Sequence, residues 1–401
     1  MKAIPLFILA AAGLAGAVAA QDDMELRVWR DPRFQRQFLG TYGAQAEIEP
    51  RVTGLEKEQM EKIVPLMGTK NGMPVARKLL AQAATPAASA VFDFTLANVY
   101  FQQNELDPAA AWYDKAVAKF PSFLRAWKNL GIVHVRAGRF DKAAPALTRA
   151  IELGAGDGLT YGMLGYSCMQ AGRFASAESA YRLAAMLQPE TMDWRLGLAR
   201  CLFKLGKHEE AAALCDEMIR MDPGRPDYRA LQANAFLGMK QPVRAAENYE
   251  LLDLEGHGTV ESLNTLGDIQ VNDGYMDLAA DAYLRAMAKD TKGDPARFIR
   301  NAEVLAARGA HGEAERIAAR IREVYEGRID DSARKRLLKL AARMAAARGA
   351  AGAEQAKLLE EIVALDPLDG EALILLGQHH ASAGDLAKAV LLFERAAAIE
   401  K

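Results

Sequence analysis

The chain has only three cysteines, Cys168, Cys201 and Cys215, in 401 residues. An odd number at that spacing makes no zinc pattern and no disulfide framework able to hold a fold together. All three fall at helix positions that pack, where a free thiol behaves as a small apolar side chain; one disulfide stays open in an oxidising compartment. The six histidines include no His-x-x-x-His pair and no HExxH motif. Adjacent His379 and His380 point about 100° apart on a helix, a poor pair for one metal. No serine sits in a Gly-x-Ser-x-Gly elbow, and the glycine-rich turn Gly154–Gly158 follows no strand and lacks the Lys-Ser/Thr of a phosphate loop. Strand-like alternation is weak throughout, which leaves no room for a hidden α/β catalytic domain. These absences assign no catalytic, cofactor or metal residue and predict a protein that is not an enzyme. Charge of neither sign dominates: Lys+Arg 50 against Asp+Glu 52 gives −2, so nothing points to nucleic acid. Beyond Ala20 no apolar run is long enough to cross a bilayer.

What the chain does have is a period. Alanine recurs every 34 residues at Ala109, Ala143, Ala177, Ala211, Ala245 and Ala279. Ala97, Gly131, Gly165, Ala199, Ala233 and Gly267 keep the same step. Such a period means stacked helical hairpins, with small residues where the two helices of each hairpin cross. Gly138, Gly172, Gly206 and Gly274 share the phase that ends the first helix. Tyr113, Tyr181, Tyr249, Tyr283 and Phe393 lie one helical turn beyond their alanine and are expected to pack into the next hairpin. Pro121, Pro189 and Pro223 close second helices. The fold class is therefore all-α, a solenoid of helix-turn-helix repeats.

This pattern resembles the tetratricopeptide repeat. Trp127, Leu130, Gly131, Ala143 and Ala150 match it in one unit; Tyr161, Leu164, Gly165, Ala177, Tyr181, Ala184 and Pro189 match it in the next. The resemblance implies a right-handed superhelix. Six regular units are expected over 89–293 and three divergent ones over 294–401. Ala318 stands where an aromatic is expected, and an insertion is expected near Arg348–Gly352. A degenerate leading hairpin is expected over 54–88, with helices at Leu55–Met67 and from Pro74 to Ala84.

The start reads as a secretory signal over 1–20: Met1-Lys2, an apolar run to Ala19, and the small-residue site Val18-Ala19-Ala20. This predicts a periplasmic or secreted protein, with an uncleaved anchor as the alternative. The non-repeat segment 21–53 concentrates Trp29, Phe34, Phe38 and Tyr42. These either cap the open end of the stack or form a docking segment for a partner or for this chain's own groove. Trp29 to Pro50 also looks faintly similar to leaders of secreted repeat proteins associated with TonB/ExbB-type systems.

In the tetratricopeptide family the first helices line the binding groove. By phase, the candidates here are Arg125, Lys128, Ile132, Arg136, Tyr166, Met169, Arg200, Phe203, Lys204, Asn234, Asn264 and Asp268, after Phe94, Asn98 and Phe101 in the first unit. The early part is basic with aromatic and Met contacts and suits an extended peptide with acidic and apolar residues; the middle is amide-rich and acidic. Solvated helix faces are the alternative. A subset of the family clamps a C-terminal carboxylate with Lys/Arg and Asn. Asn98 and Asn129 match its amide positions, but Phe94, Leu159 and Met163 stand at its basic ones, so that clamp is not expected. A basic helix from Arg334 to Arg348 reads either as a contact for an anionic partner or membrane surface, or as a solvated helix offset by Asp330, Asp331, Glu354, Glu360 and Glu361. The function expected is a periplasmic adaptor holding a protein or peptide partner of the bacterial envelope. A membrane-surface or cell-wall/polysaccharide assembly scaffold, or a non-catalytic subunit of an envelope enzyme complex, are the alternatives.

Overall fold

The structure, a computed structural model, describes residues 47–67, 71–290, 293–348 and 352–399. Twenty α-helices and no strand occur among the described residues. The chain forms two compact units, divided between Lys240 and Gln241.

The described part of the first unit holds eleven helices: α1 (Gly54–Met67), α2 (Met73–Ala83), α3 (Ala90–Gln102), α4 (Leu106–Lys119), α5 (Leu124–Arg136), α6 (Phe140–Glu152), α7 (Gly158–Gln170), α8 (Phe174–Leu187), α9 (Met192–Lys204), α10 (His208–Met221) and α11 (Pro226–Gly238). The second holds nine: α12 (Pro242–Leu254), α13 (Val260–Asn272), α14 (Met276–Lys289), α15 (Ala296–Ala307), α16 (His311–Val324), α17 (Asp331–Ala347), α18 (Ala353–Leu365), α19 (Gly370–Ser382) and α20 (Leu386–Ile399). The fifth repeat contributes α11 to one unit and α12 to the other.

Local chemistry sets where helices start. Asp157 caps α7 by accepting the Thr160 amide at 2.8 Å. Thr259 and Ser262 make a reciprocal capping box on α13. Proline opens α2, α11 and α12, where a missing amide costs nothing. The turn inside each hairpin needs one left-handed residue. Gly138 supplies it at φ +69°, and Asn104, 34 residues before Gly138, and Lys240, midway between Gly206 and Gly274, take it at φ 61° and 58°. The turn geometry thus persists where glycine does not.

The small residues act as expected. A Cβ on Gly165 would lie 2.8 Å from the Tyr181 ring, and one on Gly267 2.4 Å from Tyr283. These rings stay fully buried because the opposing helix presents no side chain. Burying such a ring stabilises by roughly 1.5–3 kcal/mol. Phe393 is the exception: it packs on Gly377 but stays 38% exposed, on the last described helix. In the unit where Ala318 replaces the aromatic, Tyr325 at the end of α16 supplies a buried ring. Its ring lies 6.0 Å from that of Phe298, and its hydroxyl donates to the Asp290 carbonyl. Helix α17 runs to 17 residues, and this added length is where the 34-residue step stretches.

The basic helix α17 is tied to its neighbours. Arg336 holds Glu303 at 2.7 Å, Lys335 holds Asp366 at 2.7 Å, and Lys339 holds Asp369 at 2.8 Å. Arg348 bridges Glu315 and Glu354. The partners are mostly on adjacent hairpins, about one repeat away in sequence, and only Glu354 belongs to the offsetting set expected from local sequence.

Candidate functional site

In the first unit the first helices of successive hairpins, α3, α5, α7, α9 and α11, carry the candidate side chains, of which Ile132, Tyr166, Arg200 and Asn234 repeat at the 34-residue step. The best-defined part lies on α5. Arg125 makes two hydrogen bonds to the Glu49 carboxylate, at 2.6 and 2.8 Å, and its guanidinium lies 5.3 Å from the centre of the Phe94 ring. Beside it, the Leu124 amide, an open donor at the start of α5, donates to the Ile48 carbonyl at 3.2 Å. Ser89 Oγ, at the start of α3, donates to the Arg51 carbonyl at 2.8 Å. Residues 48–51 therefore run along the N-terminal ends of α3 and α5. Glu56 anchors the segment: the Ser89 amide, then the Thr53 amide, hold its carboxyl below the usual range. None of these partners could be read from periodicity, because Glu49 and Arg125 are 76 residues apart.

The remaining candidates divide by depth. Lys128 binds Asp157 at 2.6 Å. Burial pushes that carboxyl up, but Lys128 and the Thr160 donors outweigh it and hold Asp157 below its ordinary value. The glycine-rich turn thus serves a helix cap. Arg136 is exposed, with its guanidinium 5.1 Å from the centre of the Phe101 ring. Tyr166 is buried edge-on to Phe140 at 5.6 Å. Met169, Arg200, Phe203 and Asn234 are half-buried, Phe203 lying beside His208 at 5.3 Å. Lys204 is exposed.

Ile132, only 1% exposed, belongs to the core and presents no surface to a partner; the phase that places it on the wall also packs it between helices. In the second unit Asn264 is fully buried, donating to the Val260 carbonyl and accepting from Asn301, both at 2.8 Å. Asp268 stays exposed and accepts from the Tyr283 hydroxyl at 2.7 Å. The possible docking residues Trp29, Phe34, Phe38 and Tyr42 lie outside the described residues.

Asn98 and Asn129 serve the interior. The Asn98 carbonyl oxygen accepts from the Tyr113 hydroxyl and from Asn129 at 3.2 Å. An ion pair with a buried carboxylate, missed by sequence reading, lies nearby: Asp93, 1% exposed, holds the half-buried Lys119, which also donates to the Thr85 carbonyl at 2.7 Å. The signal available was an acidic residue among apolar ones on α3. The three cysteines are free and buried; burial pushes Cys201 and Cys215 up to about 12. Among the described residues no group of three His, Cys, Asp or Glu gathers as a metal site, and no helix is long and apolar enough to cross a membrane.

Antiparallel helix pairs at a 34-residue step, crossing at small residues, define an all-α hairpin-repeat protein. Tetratricopeptide-repeat models match residues 94–158 and 346–400 and 168–235; the chain is a tetratricopeptide repeat protein. It is 30% identical over 168 residues to cellulose synthase operon protein C of Pseudomonas fluorescens (strain SBW25), covering 38% of this chain and 13% of that protein. It is 36% identical over 73 residues to SULFUR DEFICIENCY-INDUCED 1 of Arabidopsis thaliana, covering 18% and 21%. The chain thus spans a minor part of either relative's length. Among solved structures it is similar to YrrB, described as a tetratricopeptide-repeat protein with an unusual peptide-binding site. That match has 24% identity and a TM-score of 0.39, over 48% of this chain and 91% of that one. Pseudomonas aeruginosa PilF gives 18% identity and a TM-score of 0.40, over 51% and 93%.

Proposed function

We propose that the chain is a non-catalytic adaptor of the bacterial envelope that holds an extended, acidic segment of a partner protein on the first-helix wall of residues 47–240. Repeats of this family mediate protein binding; the envelope setting rests on the signal-like start at 1–20. One observation carries the chemistry: residues 48–51 already bind this unit as such a ligand would. A carboxylate takes Arg125 in a two-point contact, and main-chain carbonyls take the Leu124 amide of α5 and the hydroxyl of Ser89, the residue that caps α3. Further along, exposed Arg136 and Lys204, with half-buried Phe203, continue the same basic and aromatic character. Burial pushes the Cys201 and Cys215 thiols up to about 12, so neither is a thiolate nucleophile near neutral pH.

Reversing Arg136 and Lys204 to Glu tests the reading, since both are exposed and the chain should keep its thermal midpoint. The expected result is loss of the envelope partner in co-purification. Recovery of the same partners at the same yield would end it. A second reading, a scaffold in polysaccharide assembly, is favoured by the stretch similar to cellulose synthase operon protein C. It predicts that deleting the gene changes exported polysaccharide and that the co-purified partner belongs to the polymer-export machinery.

A further inference from the structure

The second unit carries an open cleft that the proposed adaptor role does not use. Its volume is about 1380 Å³, and helices α12, α13 and α14 line it. The floor is Leu266 and Ile269 of α13. The walls are apolar yet wet: Val243 is 58% exposed, Leu251 41%, Tyr275 58% and Leu278 47%. Exposed apolar side chains gathered along one cleft of a folded unit offer a partner a surface to bury.

Its rim is acidic. Glu247, Glu250, Asp273 and Asp281 line it, with Arg285 the one cation among the lining residues. Arg285 is engaged by Glu250 at 3.0 Å and Asp253 at 2.6 Å, and Asp281 is held by Arg316 at 2.7 Å. Among the described residues Glu247 and Asp273 have no cationic partner. At the floor the Gln270 side-chain oxygen is buried with no hydrogen-bond donor. An acceptor buried this way costs free energy that a donor from an occupant would recover.

We propose that this cleft docks an amphipathic helix of another protein, its apolar face on Val243, Leu251 and Leu278 and its flanking Lys or Arg side chains on Glu247 and Asp273. A helix suits walls that are themselves helices, because ridges of side chains settle into the groove between them. The unpartnered carboxylates select a basic occupant, and a lysine ammonium or an amide reaching Gln270 supplies the missing donor. This surface takes the opposite charge from the Arg125 wall, so one chain can hold two unlike partners.

The test uses the full chain and two labelled synthetic helical peptides with the same Leu face, one flanked by Lys and the other by Glu. The Lys peptide should bind and the Glu peptide should not. Replacing Glu247 and Asp273 together by Lys should weaken the Lys peptide about tenfold or more and admit the Glu peptide. Leu278→Ser should weaken the Lys peptide, and Arg136→Glu should leave it unchanged, which separates this site from the adaptor wall. All four positions are exposed, so circular dichroism melts should stay put. Equal binding of the two peptides, binding of neither, indifference to the cleft variants, or self-association of the chain abolished by Leu278→Ser would each overturn the proposal.

Discussion

Glu49→Ala removes the carboxylate from Arg125 and leaves the repeats untouched. The two groups are 12% and 19% exposed, so the contact is more than a screened surface pair. Net hydrogen bonding to a charged group contributes about 1.5–3 kcal/mol. At about 1.4 kcal/mol per tenfold, release of residues 48–51 should become about ten- to a hundredfold easier. The Leu124 amide reports this directly. Its acceptor is the Ile48 carbonyl, so lifting the segment opens it to solvent. Hydrogen exchange at Leu124 should accelerate by that factor in the variant, while Trp127, whose amide donates to the Phe123 carbonyl, should not change. Equal protection of Leu124 in both proteins would refute the reasoning: the segment would then be held by something other than the ion pair. Ser89→Ala, which removes the Arg51 contact together with the side-chain cap of α3, gives a second route to the same release.

Gly165→Ala should cost about 1–3 kcal/mol in denaturant unfolding, since its methyl group meets the Tyr181 ring at 2.8 Å. Gly312→Ala, with nothing within 4 Å, should be neutral or stabilising by up to about 1 kcal/mol. Lys119→Met strands the buried Asp93 carboxylate and should cost about 3–5 kcal/mol, most of it recovered in the Asp93→Leu/Lys119→Met double variant; equal stability of single and double variants would contradict the pair. His134 is buried, and burial lowers it to about 4. The unfolded chain takes up that proton near pH 6.5 and the folded chain does not, so the wild type should lose stability as pH falls from about 6.5 towards 4. His134→Gln should remove that part of the slope, and an unchanged slope would show that His134 does not titrate as its burial implies.

The repeat was legible because packing repeats. A residue at a crossing recurs every 34 positions, and Gly131 or Gly165 has one physical reason for its size. The left-handed turn position was legible only where glycine filled it, since Asn104 and Lys240 carry no such mark. Candidate wall residues were legible by phase but not by depth: the same phase places Asp268 in solvent and Ile132 in the core, because depth depends on what the neighbouring helices present. Pairing was least legible. Glu49 reaches Arg125 across 76 residues and Arg336 reaches Glu303 across 33, contacts that follow from stacking order and not from local pattern.

The central claim is that a partner polypeptide lies on the first-helix wall of residues 47–240. A photo-crosslinking residue placed in turn at Arg136, at Lys204 and at Met186 on the second helix α8 tests it in living cells. The account predicts a discrete protein adduct from the first two positions and none from Met186. An adduct from Met186 with none from Arg136 or Lys204 would contradict it.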